Sequence, residues 1–163
     1  MRKLLLVLVA AGTLFGAAAR AFDSPMALVD SIYALELADE RRDWQWSDER
    51  SDYLSQSLIE LWTRANAAQP EDDELGPVEA DIVTDTNGMM LGSYRAVVER
   101  ADARSATIAV TLIYADAAPD QEPGLIRYEL VAENAAWKID DIHSASWDLR
   151  QMLENYIAEN ANN

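Results

Sequence analysis

The residues whose types and spacing suit chemistry lie near the C-terminal end of the chain. Within "ELVAENAAWKIDDIHSASWDLRQML", residues 129–153, the adjacent Asp140 and Asp141 are followed by His143, the chain's single histidine. A carboxylate that orients an imidazole can make the ring a general base. Asp141 and His143 are two residues apart and share one face if the strand continues. We therefore take Asp141 and His143 as the candidate catalytic residues.

Each of these candidates also has a structural explanation. Successive side chains of a strand point to opposite faces, so Asp140 and Asp141 are not expected to form a carboxylate dyad. One aspartate would be solvated, and the other would cap a helix or pair with Arg127 or Arg150. For His143, the alternative is a surface position at the end of a strand.

Other catalytic and metal-binding patterns are not met by this sequence. A serine hydrolase commonly carries G-x-S-x-G around its nucleophile, and neither Ser144 nor Ser146 lies in such a stretch. The run "DTNG" at 85–88 resembles part of a calcium loop, but Val83 and Tyr94 occupy the positions that require Asp and Glu. One histidine without any cysteine does not provide a usual zinc site. We predict neither a metal site nor a cofactor.

Aromatic and basic residues provide the candidate binding residues. Trp44 and Trp46 flank one glutamine. In an extended segment they would point the same way and line a ligand pocket or a partner interface. The alternative is that they plug the open end of the core. Tyr114, Arg127 and Tyr128 are the candidates for orienting a substrate or ligand.

Residues 1–21, "MRKLLLVLVAAGTLFGAAARA", have the features of a secretory signal peptide. Arg2 and Lys3 precede an apolar run, and small residues end the segment at Ala21. Because glycines interrupt the run before it reaches the roughly 20 apolar residues that span a bilayer, we predict cleavage after Ala21 rather than a membrane anchor. Residues 22–163 would then form a single domain, periplasmic or secreted.

The chain is strongly acidic, with 29 acidic and 13 basic residues and a formal net charge of −16. Loss of Arg2, Lys3 and Arg20 with the signal peptide would make that charge −19. Such a charge repels phosphate backbones and anionic lipid, so we predict no nucleic acid partner and, after cleavage, no membrane. A basic protein would be attracted, although acidity also serves solubility. The chain has no cysteine, so its stability must come from an apolar core.

The first part of the chain after the signal peptide has helical periodicity. In "DSPMALVDSIYALELADE", Ser24 suits an N-cap and Pro25 the first helical position. In "SDYLSQSLIELWTRANAA", apolar residues recur at i, i+4, i+7, i+8 and i+11 from Leu54, which predicts one amphipathic helix. The run "RRDWQWSDER" between them is predicted as a loop, and the acidic "QPEDDELGP" as a connector.

After Pro77 the hydrophobic period changes from helical to strand-like. "VEADIVT" and "LGSYRAVVER" flank Asn87 and Gly88, a strong hairpin signal because both turn residues tolerate positive φ. "SATIAVTLIY", "LIRYELVAE" and "AWKIDDI" follow as strands, and a closing helix begins near Ser146. These elements predict an α+β domain in which helices pack on one face of a curved antiparallel sheet of about five strands.

The segments "YELVAENAAWKIDDI" and "WDLRQML" resemble the C-terminal signature of an uncharacterised bacterial family of exported proteins, E-x-G-x-W-R-I-D-D-I followed by L-R-x-x-L. That family is similar to the nuclear transport factor two-like superfamily. The resemblance implies a cone of curved antiparallel sheet wrapped by helices, with a pocket between them. Ala135 stands where that signature has Gly. Either Asn134 takes the positive φ of that turn, or the turn differs.

Two functions remain open, because that superfamily includes both enzymes and non-catalytic modules. In the first, which we favour, the protein is an exported, non-catalytic module that binds a small ligand or a basic protein, as an immunity or inhibitor protein would. In the second, it is a small isomerase, dehydratase or hydrolase of the cone-fold type, with Asp141 or His143 as the general base. We expect a monomer or a homodimer.

Overall fold

The chain has an α+β fold, with helices packed against one curved antiparallel sheet. The computed structural model describes residues 22–38, 50–71, 75–79, 81–86, 88–118 and 120–161. The predicted signal peptide lies outside these ranges, as do Trp44 and Trp46. In order, the elements are α1 (Pro25–Leu37), α2 (Arg50–Tyr53), α3 (Gln56–Ala67), β1 (Leu91–Ala101), β2 (Ser105–Tyr114), β3 (Gly124–Glu133), β4 (Ala136–His143) and α4 (Leu149–Asn160).

The strands follow one another in the sheet in the order β1-β2-β3-β4. Buried and more exposed residues alternate along β2 and β3, which confirms the strand-like period predicted for this part of the sequence. Their buried residues are Ile108, Val110, Leu112 and Tyr114 on β2, and Ile126, Tyr128 and Leu130 on β3. They join buried residues of α1, α3 and α4 in one hydrophobic cluster. We call this side of the sheet the inner face, and the side that carries Thr107, Ala109 and Thr111 the outer face.

The described residues contain four strands, so the prediction of about five is wrong. The missing strand is "VEADIVT", where Ile82, Val83 and Thr84 form a turn. The Asp81 carboxylate accepts hydrogen bonds from the N–H groups of Val83 and Thr84, at 2.9 and 3.0 Å. Such local side-chain bonds compete with strand pairing. The predicted hairpin around Gly88 is therefore also wrong, because no strand precedes it; its other turn residue, Asn87, lies outside the described residues.

The start of α1 confirms the capping prediction. The Ser24 hydroxyl accepts a hydrogen bond from the Ala27 N–H at 3.1 Å, and Pro25 is the first helical residue. The side chains that α1 buries are Leu28, Val29, Ile32 and Tyr33. The helix therefore lies across the inner face of the sheet, with its N-terminus capped by its own sequence.

The predicted single helix from Ser51 onward is instead two helices, α2 and α3. At the break, Leu54 forms a parallel bridge with Ile139 of β4, and the Ser55 N–H donates to the Ile139 carbonyl at 2.8 Å. The Ser55 hydroxyl then caps α3 by accepting from the Leu58 N–H. The amphipathic pattern did not predict this break, because the bond that replaces the helical one comes from a strand far away in the sequence.

A β-bulge in β4 explains the irregular alternation of "AWKIDDI". Leu130 pairs with Ile139, whereas the preceding Glu129 pairs with Asp141, so Asp140 is the extra residue. Ile139 and Ile142 are both fully buried as a result. Strict alternation would have put Ile139 on the same face as Asp141, and Ile142 on the same face as Asp140. The bulge places both isoleucines on the inner face.

The turn between β3 and β4 contains two residues with positive φ. Asn134 has φ 50° and Ala135 has φ 63°, while Glu133 pairs with Ala136 across the turn. Two consecutive left-handed residues make the hairpin turn whose twist matches that of the strands. Asn134 tolerates this conformation, but Ala135 pays about 1–2 kcal/mol for the contact of its Cβ with the backbone.

Ala135→Gly should therefore stabilise the protein by about 0.5–1 kcal/mol, because removing the left-handed strain outweighs the greater freedom of glycine in the unfolded chain. Urea unfolding followed by tryptophan fluorescence measures this change. Ala132→Gly, at an exposed position of β3, is the matched control and should lower stability by about 0.5–1 kcal/mol. A loss of stability in both variants would contradict a strained Ala135.

Candidate functional site

The predicted ligand-orienting tyrosines lie in the core, and their hydroxyls are bonded internally. Tyr33 donates to the Val83 carbonyl at 3.0 Å, and its oxygen lies 3.0 Å from the hydroxyl of Tyr128. Because the single proton of Tyr33 is used on Val83, Tyr128 donates to Tyr33. Tyr114 donates to the Thr84 carbonyl at 2.8 Å. Burial raises the pKa of both Tyr33 and Tyr128, which keeps their hydroxyls protonated.

The segment 81–86 closes this end of the core. Three aromatic side chains each donate a hydrogen bond to it, and they belong to Tyr33 of α1, Tyr114 of β2 and Trp147 before α4. The indole N–H of Trp147 donates to the Asp85 carboxylate at 2.7 Å. Asp85 has φ 53°, a conformation that aspartate tolerates better than most residues. A ligand entering from this side would have to displace the whole segment.

The predicted pair Asp141 and His143 is brought together, but inside a cluster of carboxylates. Nδ1 of His143 is hydrogen-bonded to the carboxylate of Asp148. Nε2 lies 3.7 Å from a carboxylate oxygen of Asp141 and 3.7 Å from one of Glu129. Nε2 is itself buried and makes no hydrogen bond. This arrangement holds the ring in place, with Nε2 away from solvent and Nδ1 bonded to Asp148.

Asp141 caps α4. Its Oδ1 accepts hydrogen bonds from the N–H groups of Arg150 and Ile142, at 3.0 and 2.8 Å. Asp148, at the N-cap position, makes no side-chain capping bond because it is turned toward His143. Burial raises the pKa of Asp141, although the two N–H groups and the positive charges nearby oppose the rise. The predicted capping role for one of the two aspartates is therefore confirmed.

Asp140 pairs with Arg150, one of the two arginines predicted as a partner. The prediction that one aspartate is solvated is wrong, because Asp141 caps α4 and Asp140 is bonded as well. Its Oδ1 accepts from Arg150 Nη2 at 2.6 Å, from the Ser55 hydroxyl at 2.6 Å and from the Ser57 hydroxyl at 2.9 Å. Arg150 Nε also donates to the Asp140 carbonyl. Burial opposes ionisation of Asp140, but the two hydroxyls and the guanidinium outweigh it and lower its pKa. This cluster joins β4, α3 and α4.

An open groove between α3 and α4 begins at this cluster. Its volume is about 800 Å³, which lies within the range of small-molecule sites. Its lining consists of Gln56, Ser57, Ile59, Glu60, Leu61, Thr63, Arg64, Arg150 and Glu154. Within the described residues, the side chains of Arg64 and Glu154 make no hydrogen bond or ion pair. The groove therefore offers one free cation and one free carboxylate beside the apolar Ile59.

The structure does not bring the predicted binding residues together. Arg127 lies on the outer face, with Nε 3.1 and 3.2 Å from the two carboxylate oxygens of Glu99. Tyr114 and Tyr128 point to the inner face, and Trp44 and Trp46 lie outside the described residues. The binding role of these five residues remains a prediction.

Sequence reasoning missed the groove residues. The sequence does contain a signal for the start of α3, because Ser55 stands directly before an apolar-periodic run and therefore suits an N-cap. Nothing in the sequence relates Ser57 or Arg64 to Glu154, because the residues meet only when α3 and α4 pack side by side.

Among the described residues, no group of three His, Asp or Glu side chains is placed to hold a metal ion. The helices seen there are also too short or too polar to cross a bilayer.

Tyr33→Phe should destabilise the protein more than Tyr128→Phe. The first change leaves both the Val83 carbonyl and the Tyr128 hydroxyl without a partner, at a cost of about 2–3 kcal/mol, whereas the second keeps the Tyr33–Val83 bond and costs about 1 kcal/mol. Urea unfolding at pH 7 measures both. Equal losses would contradict the assigned direction of the Tyr128–Tyr33 bond.

Asp140→Asn should lower stability by about 1–2 kcal/mol at pH 7, because it removes the charge that Arg150 and the two serines stabilise. The folded-state pKa of Asp140 lies below the ordinary value of 3.8. Its contribution is thus complete above that value and is lost as the pH falls through the folded pKa. Urea unfolding of both proteins between pH 2 and pH 7 tests this. A gap that persists unchanged at the lowest pH would refute the charge-based explanation.

Comparison with known proteins gives one distant structural similarity to report. No protein-family model and no curated protein sequence matches this chain. Among solved structures, it is similar to the phospholipid-binding protein from Ralstonia solanacearum in complex with a phospholipid. The sequence identity is 12% and the TM-score is 0.34, over 80% of this chain and 71% of that chain. A similarity of this degree assigns no ligand to this chain.

Proposed function

We propose that this protein is an exported, non-catalytic binding module whose ligand lies in the groove between α3 and α4. The signal-like residues 1–21 support export to the periplasm or beyond. The helix-covered antiparallel sheet and the resemblance of the last third of the chain support placement in the nuclear transport factor two-like superfamily, with its cone fold. The observation that carries the proposal is the groove itself, with its unpaired Arg64 and Glu154.

The chemistry of the groove favours a small zwitterion with an apolar portion. Arg64 suits a carboxylate and Glu154 suits an ammonium group, while Ile59 provides apolar contact. A free amino acid or a short peptide combines these features. The neighbouring Arg150 cannot offer Nε and Nη2 to a ligand carboxylate, because both are already bonded to Asp140 and Ser57.

Two observations weigh against the interior of the cone and against a catalytic role. The hydroxyls of Tyr33, Tyr114 and Tyr128 are bonded within the core, so they are not free to orient a substrate. Nε2 of His143 is buried and Nδ1 is bonded to Asp148, which weighs against this ring as a general base. The isomerase or dehydratase hypothesis therefore has less support than binding.

The acidity of the chain supports a second candidate, in which the ligand is a basic protein. A net charge of −16 steers positively charged partners toward the surface. This attraction depends on long-range fields and weakens as salt is added. Ligand binding in the groove instead depends on two particular side chains, so the two forms of the proposal predict different effects of mutation.

Isothermal titration of the purified chain with leucine, with leucyl dipeptides and with a basic control protein tests the proposal. Arg64→Gln and Glu154→Gln should each weaken binding of the zwitterion about fivefold, since an exposed charge contact contributes about 1 kcal/mol. Glu159→Gln, on α4 but outside the groove lining, is the matched control and should leave affinity unchanged.

Three results would decide between the alternatives. Binding of the zwitterions with the expected loss in both groove variants supports the small-ligand proposal. Binding of the basic protein alone, equally weakened in Glu154→Gln and Glu159→Gln, favours the protein partner. No heat with any of these probes at millimolar concentration would refute the groove as a site for this ligand class.

A further inference from the structure

The two edges of the sheet differ in whether their backbone groups are hydrogen-bonded. At the β4 edge, the Ser55 N–H donates to the Ile139 carbonyl at 2.8 Å, and the Trp137 N–H donates to the Phe22 carbonyl at 3.1 Å. In the described part of the chain, β1 pairs only with β2. Eight of the eleven residues of β1 are exposed. The far edge of β1 is therefore a row of backbone donors and acceptors available to another strand.

The outer-face side chains of this edge are basic. Arg95 lies opposite Thr111, and Arg100 lies opposite Thr107. Neither guanidinium and neither threonine hydroxyl has a hydrogen-bond or ion-pair partner among the residues that the structure describes. Val97 lies between the two arginines and is 44% exposed. The outer face of this edge thus presents two positive charges beside an apolar side chain.

The inner-face side chains of the same edge are apolar. Tyr94, Ala96 and Val98 lie opposite Leu112, Val110 and Ile108 of β2. Tyr94 is held by stacking on Tyr33, with ring centroids 4.7 Å apart. Val98 is 43% exposed although it points to the core side, because nothing in the described residues flanks it beyond the edge. A further strand would cover this valine.

We propose that the free edge of β1 binds an extended, acidic segment of a partner protein as an additional strand. Alternate side chains of an added strand point to the two faces of the sheet. Carboxylates on one face would meet Arg95 and Arg100, while apolar residues on the other would cover Ala96 and Val98. The edge thus selects a segment in which acidic and apolar residues alternate. This surface is separate from the α3–α4 groove and does not depend on a ligand there.

The net negative charge of the chain does not prevent this contact. At physiological ionic strength the Debye length is about 8 Å, so carboxylates farther than this from β1 are largely screened. The carboxylates that lie nearer are already hydrogen-bonded: Asp30 of α1 to Tyr94, Glu99 to Arg127, and Asp102 to the two N–H groups that follow its turn. In the described part of the chain, the guanidinium groups of Arg95 and Arg100 have no such partner.

A second copy of this chain is a poorer occupant than a separate partner. Its acidic strand with apolar alternation is β3, which has Glu129, Val131 and Glu133 on one face. That strand lies between β2 and β4 and has no free edge. Glu133 also accepts a hydrogen bond from the Gln56 N–H at the start of α3. The segment that binds β1 is therefore expected to come from another protein.

The test uses fluorescence anisotropy of a labelled nine-residue peptide in which Glu and Val alternate, added to the purified chain at 0.15 M salt. Arg95→Gln and Arg100→Gln should each weaken binding about fivefold, and the double variant by more than tenfold. Asn155→Asp adds the same unit of negative charge on α4 and keeps the acceptor for Gln151, so it should not change the affinity. A peptide with Lys in place of Glu should bind at least tenfold more weakly.

Backbone pairing is tested with two further peptides. Each is N-methylated at every second residue, one in each phase, because a strand added to an edge bonds through only one set of its N–H groups. One of the two should lose binding and the other should keep it. Equal binding of both, or no binding of the parent peptide, would overturn the proposal. Self-association in sedimentation equilibrium that Arg95→Gln abolishes would overturn it in favour of a second copy.

Discussion

The interior of this protein depends on the rule that a buried polar group must be hydrogen-bonded. Tyr33, Tyr114 and Tyr128 bring hydroxyls into an apolar core, where an unpaired one costs about 1–3 kcal/mol. Two of these hydroxyls are bonded to carbonyls of Val83 and Thr84, and the third is bonded to Tyr33. The segment 81–86 therefore lies over the core, because its carbonyl groups accept hydrogen bonds from the core tyrosines. It covers the end of the sheet that would be open in a cone.

Strand β4 organises the remaining elements through one irregularity. The bulge at Asp140 keeps Ile139 and Ile142 on the inner face while each aspartate meets a different helix. Asp140 binds the start of α3 and the guanidinium of Arg150, and Asp141 caps α4. A single pair of adjacent carboxylates thus positions both helices that form the groove. The same residues that suggested catalysis in the sequence are structural in this arrangement.

The distribution of charge separates two surfaces of different character. The groove between α3 and α4 combines a free Arg64 with a free Glu154, whereas the β1 edge combines two free arginines with exposed valines. Most of the other basic residues in the described ranges are engaged, as Arg127 is by Glu99 and Lys138 is by the carbonyls of Ser51 and Asp52. An unpaired cation in a chain of net charge −16 is therefore an informative feature.

The sequence by itself determined the features that depend on near neighbours. These include the α+β class, the cap of α1 by Ser24 and the alternation of β2 and β3. Only the tertiary structure decided the break at Leu54, the turn in place of a strand at 82–84, the left-handed Ala135 and the meeting of α3 with α4. The physical reason is the distance along the chain over which each interaction acts. Local propensity and periodicity act within a turn or a strand, whereas these outcomes depend on bonds and contacts with residues far away in the chain, or on hairpin twist that overrides local preference.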